Sequence, residues 1–215
     1  MKQAEPAAPL TTARIEALCD GIFAVAMTIL VLNVTIPTAQ SVAPQHLPQA
    51  LERIGPQVLV YAISFVNLGV LWVGQHNQHH FIGAADRWFI WINIAFLMLI
   101  SFIPFSTALL GQFPLERLAQ LVYGVNVIAA TLMLGIHWGY ACSGNRLLHP
   151  HTSRHVITLG TRRIMTSACA YILALALSLI NPAVSLILFL VVPFVNILPF
   201  RLDALLRPAP QQPKA

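Results

Sequence analysis

The sequence predicts an all-α integral membrane protein with six transmembrane helices in a single membrane domain spanning 1–215. Two observations carry this: the scarcity of charge and where the charges fall. Of 215 residues, 57% are hydrophobic and 9% are charged, against roughly 25% charged in an ordinary soluble domain. Five stretches contain no Lys, Arg, Asp or Glu: Gly21–Leu51, Ile54–Ala85, Trp88–Leu115, Leu118–Asn145 and Ile164–Phe200. A bilayer-spanning helix takes about 20 mainly apolar residues, and each stretch exceeds that. Strict apolar/polar alternation is absent and barrel strands need only about 10 residues each, so continuous β structure is a poor fit.

The spans are expected near 17–36, 57–74, 87–110 and 118–142, with two more from the last stretch. Asn181-Pro182 interrupts that stretch, because the residue before a proline is pushed out of helical conformation. Splitting there gives spans near 164–180 and 183–200, the second disturbed by Pro193 and Pro199. An even number of spans puts both termini on one side. Lys2, Arg14, Arg87, Arg146, Arg154, Arg162, Arg163, Arg201, Arg207 and Lys214 then share that side, and Arg53 and Arg117 face the other. Basic residues near span ends favour the cytoplasm, so both termini are expected inside a cell membrane. Ile36–Pro56 becomes the long outer loop and Ser143–Arg163 the long inner one.

The same distribution excludes several function classes. The net charge of +5 sits beside apolar runs and forms no basic stripe, so no nucleic-acid partner is expected. Cys19, Cys142 and Cys169 lie in or beside apolar runs without paired spacing and read as small buried hydrophobes. The seven acids provide no carboxylate pair or metal motif, so no enzyme, cofactor or metal centre is expected. Ile22–Leu32 can act as an uncleaved start signal; Met1–Thr12 lacks the apolar core of a cleavable one. His76, His79 and His80 near the end of the second span, with His149, His151 and His155 in the inner loop, read as a polar cap without a bound ligand. His137 reads as a hydrogen-bonded helix contact, and Trp88 and Trp91 as an interfacial belt.

The first span is the most informative. Ionisable groups near membrane depth are costly and face protein or water. Asp20 lies near the inner end, and Arg14, six residues away, cannot share its helix face. Asp20 is therefore expected to bond to the second or third helix, an anchoring role favoured over proton transfer. Val25, Thr28, Ile29 and Leu32 fall on about a third of the helix circumference. Two readings of this stripe stay open on the residues alone: helix packing, with Thr28 bonded to its own i−4 carbonyl, or the lining of a narrow pore. Packing is favoured.

The segment from Arg14 to Leu32 resembles the first helix of the transmembrane protein 175 family of potassium channels. The family signature, Arg-x-x-x-Phe-Ser-Asp, is matched at Arg14 and Asp20, with Leu18 and Cys19 where the family has Phe and Ser. The likeness continues through Trp72, His76, Asp86-Arg87, Trp91-Ile-Asn93 and Ile103-Pro104-Phe105, and Gln75-His76 stands where many bacterial members have a His pair. The resemblance implies a homotetramer in the lipid bilayer with the first helix of each subunit lining a central pore. It implies Val25 and Leu32 as apolar constrictions, Thr28 as a hydroxyl ring between them, and Ile29 beside them. It also implies Arg14, Asp20, Trp72 and His76 as an anchoring network, and modest selectivity for permeant potassium ions. The competing expectation is a proton-coupled transporter using Asp20 and His76.

Overall fold

The computed structural model describes residues 12–35, 37–38, 42–150 and 152–197. Lys2, His151, Arg201, Arg207, Lys214 and the 198–200 end of the last expected span lie outside these residues. Among them the chain forms six α-helices: α1 (Thr12–Leu32), α2 (Leu47–Phe81), α3 (Arg87–Gln112), α4 (Arg117–Cys142), α5 (Arg154–Ser178) and α6 (Pro182–Ile197). The first four are long and apolar enough to cross a membrane. At 16 residues, α6 is apolar but shorter, while α5 carries Arg154, Arg162 and Arg163 in its first half.

Several boundaries differ from the sequence expectation. Helix α1 ends at Leu32 and not at 36, where Asn33 turns to donate to the Pro104 carbonyl at 2.9 Å and the Thr35 N–H donates to Gln57 Oε1 at 3.0 Å. Helix α2 starts at Leu47, so the outer connection is shorter than Ile36–Pro56, and Pro56 lies inside the helix. Helix α5 starts at Arg154, which shortens the expected inner loop of 143–163 to 143–153. Its start is capped by Ser153, whose hydroxyl accepts from the Val156 N–H, a favoured N-cap arrangement. Charged helical ends project past an apolar core, so counting uncharged residues underestimates helix length. At Asn181 the side chain accepts from the Ala183 and Val184 N–H groups, and Pro182 begins α6, where its missing N–H costs nothing.

Two apolar clusters form the interior. One joins α1, α2, α3 and α4 around Phe23, Leu30, Leu68, Phe96 and Ile100. The other joins α2, α4, α5 and α6 around Tyr123, Val127, Tyr171 and Phe189. Polar side chains link the helices inside them, because lipid offers no alternative partner. Tyr171 donates to Asn67 at 2.7 Å, and Ser64 donates to Tyr123 at 3.3 Å. Gln120 donates to the Pro182 carbonyl at 2.8 Å, while Gln78 Oε1 accepts from His137 Nδ1 at 2.7 Å.

At the end of the bundle where α1 begins, the α2–α3 and α4–α5 connections are fastened together. Gly83 N–H donates to the Leu147 carbonyl at 2.8 Å, and His149 N–H to the Phe81 carbonyl at 2.9 Å. Asp86 caps α3 by accepting from the Phe89 N–H at 2.9 Å, accepts from the Tyr140 hydroxyl at 2.8 Å, and pairs with Arg146 at 3.7 Å. Burial pushes the Asp86 carboxyl up. The hydrogen bonds from Phe89 and Tyr140 and the Arg146 charge outweigh it, so its pKa lies below the ordinary 3.8. A depressed folded-state pKa stabilises above the unfolded value and loses that contribution as pH falls through the folded one. Asp86→Asn is therefore expected to lower thermal stability at pH 7 and to flatten its decline below about pH 4, as read by melting the purified protein across pH.

Candidate functional site

Helix α1 is held along one face only. Ile15, Cys19, Phe23, Ala26 and Leu30 are buried against α2 and α3, a spacing of four, four, three and four that places them on one stripe of the helix. On the opposite stripe, Leu18, Val25, Ile29 and Leu32 are 50%, 55%, 41% and 79% exposed, and Thr28 is exposed among them. Gly21 lies on this stripe with nothing within 4 Å of where a Cβ would stand. The result is a long apolar face that the subunit leaves uncovered, interrupted only by the Thr28 hydroxyl and by Arg14 at its start.

Thr28 Oγ1 donates to the Ala24 carbonyl at 3.0 Å and lies 2.9 Å from that of Val25, the i−4 back-bond that the residue type favours in apolar helices. This geometry has a chemical consequence. With the hydroxyl hydrogen turned to the backbone, the oxygen lone pairs point away from the helix, so the exposed surface of Thr28 is an acceptor.

Of the four expected anchoring residues, the structure brings three together. Trp72 Nε1 donates to Asp20 Oδ1 at 2.8 Å, and the Trp72 ring stacks on His76 with centroids 5.3 Å apart. Asp20 and His76 thus share Trp72 without a hydrogen bond between them. Arg14 stands apart from this group: it is exposed, with no hydrogen bond or ion pair among the described residues. At 100° per residue it lies on the stripe of Leu18, Gly21, Val25, Thr28 and Leu32, all within roughly 80° of one another.

The strongest polar junction of α1 involves residues that sequence reasoning passed over as site residues. Gln75 Nε2 donates to Asn93 Oδ1 at 2.8 Å and to Cys19 Sγ at 2.9 Å, and Asn93 Nδ2 donates to Cys19 Sγ at 3.3 Å. All three side chains are buried and join α1, α2 and α3 at one level. Cys19 therefore does more than fill space. The available signal was a cysteine beside Asp20 and a glutamine and an asparagine, each of these two inside an uncharged run.

The histidines disperse. His79 is buried, edge-on to Phe89 and His137, whereas His76 and His80 are exposed. His149 packs over Gly83. Among the described residues no group of three or more His, Cys, Asp or Glu is placed to hold a metal ion. Trp88 and Trp91 are 69% and 55% exposed beside Arg87, as an interfacial belt requires.

The family model described as endosomal/lysosomal potassium channel TMEM175 matches residues 14–104, from the start of the α1 stripe to the carbonyl that receives Asn33. A protein of Chamaesiphon minutus named a potassium channel is 34% identical over 79% of this chain and 85% of its own length. The chain belongs to the TMEM175 family. A crystal structure of a lysosomal potassium-selective channel TMEM175 homolog from the same organism superposes with a TM-score of 0.79 at 30% identity. It covers 87% of this chain and 96% of that one. A chicken relative named an endosomal/lysosomal proton channel is 28% identical over 68% of this chain and 30% of its own length. These relatives are channels and not enzymes, and such channels need no cofactor for passive conduction.

Removing a buried partner leaves the others unsatisfied at a cost of about 1–3 kcal/mol. Asn93→Leu, which strands both Gln75 and Cys19, is expected to destabilise by that amount. Cys19→Ala preserves the Gln75–Asn93 bond and is expected to cost less. Thermal unfolding of the two variants in one detergent checks the order.

Proposed function

We propose that this TMEM175-family chain forms a homotetrameric channel in the cell membrane, conducting potassium passively along an axis lined by α1, with both termini cytoplasmic. The observation that carries the reading is the uncovered apolar stripe on α1, opposite a face fastened to α2 and α3. Four such stripes facing one axis bury each other and enclose a narrow path. The potassium-channel names of the bacterial relatives support the ion, and the separation of Arg14, Arg87, Arg146 and Arg154 from Arg53 and Arg117 at opposite helix ends supports the orientation.

In that arrangement Val25 and Leu32 form apolar rings, and Ile29 packs beside them. A dry ring of this kind stops ions, because a bare cation there loses its hydration with nothing in return. Conduction therefore needs the rings to widen and wet. Thr28 lies one turn from each ring and presents its oxygen outward. Four such oxygens replace part of a hydration shell, and potassium, being larger than sodium, gives up water more readily. Selectivity by hydroxyls without a carbonyl cage or a charged filter is modest. Asp20, Trp72 and His76 hold the inner end of α1 against α2 from outside the path, and Arg14 stands at the mouth as a fixed positive charge.

The test is ion flux in liposomes containing the purified protein, read separately for potassium, sodium and protons. Flux that follows the membrane potential without a coupled proton gradient supports the channel. Flux that requires the gradient supports the transporter reading based on Asp20 and His76. Thr28→Ala is expected to lower the potassium-over-sodium permeability ratio several-fold while leaving conduction intact; an unchanged ratio overturns the hydroxyl ring. Leu32→Ala is expected to raise basal flux by removing a constriction.

A further inference from the structure

On the side of the subunit away from α1, helices α2, α4, α5 and α6 line a half-open cleft of ≈ 80 Å³, roughly six times what one water needs. Its walls run along α2 from Asn67 to Phe81 and along α5 from Val156 to Tyr171. Fifteen residues of helix cover about 22 Å, so the cleft is long and narrow. The Tyr171–Asn67 hydrogen bond closes its far end at 2.7 Å. Between the ends, Leu71, Leu134 and Ile164 make the wall apolar.

One charge interrupts that wall. Arg163 is half-buried, and its guanidinium donates to the Asn196 carbonyl of α6. Ser167 braces the same residue, donating to Asn196 Oδ1 at 2.7 Å. The cleft lining contains no Asp or Glu, and among the described residues Arg163 has no carboxylate partner. A guanidinium has five donors, so several remain for a ligand, and a cation in an apolar setting without a counter-ion is costly.

The depth of Arg163 limits what that ligand is. Arg163 lies nine residues from the Arg154 start of α5, about 14 Å of helix, with the exposed Arg162 beside it. It therefore sits in the charged half of α5, toward the headgroups. Toward Tyr171 the wall is mainly apolar, and toward the start of α5 the polar Asn77 and Gln78 lie among Phe81, Trp138 and Val156.

We propose that this cleft seats one acyl chain of an anionic phospholipid, with the lipid phosphate on Arg163. The charge complementarity and the length of the apolar wall select this occupant over a free anion or a neutral lipid. The site uses no residue of the α1 stripe, so it stands or falls apart from the pore reading.

The test is native mass spectrometry of the full chain in detergent, titrated with dioleoyl phosphatidylglycerol or dioleoyl phosphatidylcholine, with inorganic phosphate as competitor. Retention of one phosphatidylglycerol per subunit, at least ten-fold preferred over phosphatidylcholine, is expected, as is failure of phosphate to displace it. Arg163→Gln is expected to abolish the preference, and Arg163→Lys to keep most of it. Because Arg163 also bonds to α6, Val156→Trp at the cleft wall gives a second reading: it is expected to reduce lipid retention several-fold without lowering the melting temperature. Equal retention of the two lipids by the wild type, displacement by phosphate, or undiminished retention by Val156→Trp overturns the proposal.

Discussion

In a membrane the hydrophobic effect does not press one helix against another, because lipid tails are as apolar as leucine. Position is set by close packing and by polar groups that have no water to turn to. The seat of α1 follows from this. Its buried stripe packs on α2 and α3, and the Cys19–Gln75–Asn93 junction fixes its rotation and height. Turning α1 by one residue position, about 100°, would carry Cys19 away from both amides and bring the Val25 stripe toward the core. Interhelical hydrogen bonds in membranes average only about 0.6 kcal/mol each. Their value here is direction: they decide which face of the helix the subunit leaves uncovered.

That constraint organises the rest of α1. Polar groups collect in its first turns, where Asp20 reaches Trp72 and Arg14 stands on the open stripe. Beyond Phe23 the buried face is apolar, ending at Leu30, and polar contacts resume with Asn33 on the Pro104 carbonyl and Thr35 on Gln57. The helix is thus pinned at both ends and packed by apolar side chains between them. A segment held this way can shift modestly in its middle without breaking a hydrogen bond to a neighbouring helix, and the middle is where Val25, Thr28 and Ile29 lie.

The all-helical architecture was legible because lipid forbids charge, so uncharged runs and the residues that separate them mark helices and connections. Asn181-Pro182 was legible for a local reason: proline and its predecessor restrict the backbone whatever surrounds them. Helix ends were less so. The first half of α5 and the start of α2 are helical stretches that extend past the uncharged core, and charge content does not report on them. Within the site, the stripe of Val25, Thr28, Ile29 and Leu32 follows from helical geometry, and its exposure then depends on which opposite residues the bundle covers. Within the subunit Arg14 and Asp20 lie on different faces of α1, as their six-residue spacing requires. The Gln75–Asn93 contact joins residues eighteen apart on different helices, and no local pattern encodes such a meeting.

The substitution of Cys19 for the serine of the family signature is explained by the residue opposite it. A thiol is a weak donor and a weak acceptor, and the Cys19 thiol lies 3.6 Å from Asn93 Oδ1, long for a structural tie. Serine at this position would bond directly; cysteine needs neighbours that satisfy one another. Gln75 does this, because an amide presents a donor to Asn93 Oδ1 at 2.8 Å while the sulfur accepts from both amides. A neutral histidine in place of Gln75 has one N–H to offer where the amide has two, and could not serve both Asn93 and the thiol. Two of the departures from the family pattern, Cys19 on α1 and Gln75 on α2, therefore read as one change: the junction keeps its place and its partners while the strong bond moves from α1 to the pair of helices behind it.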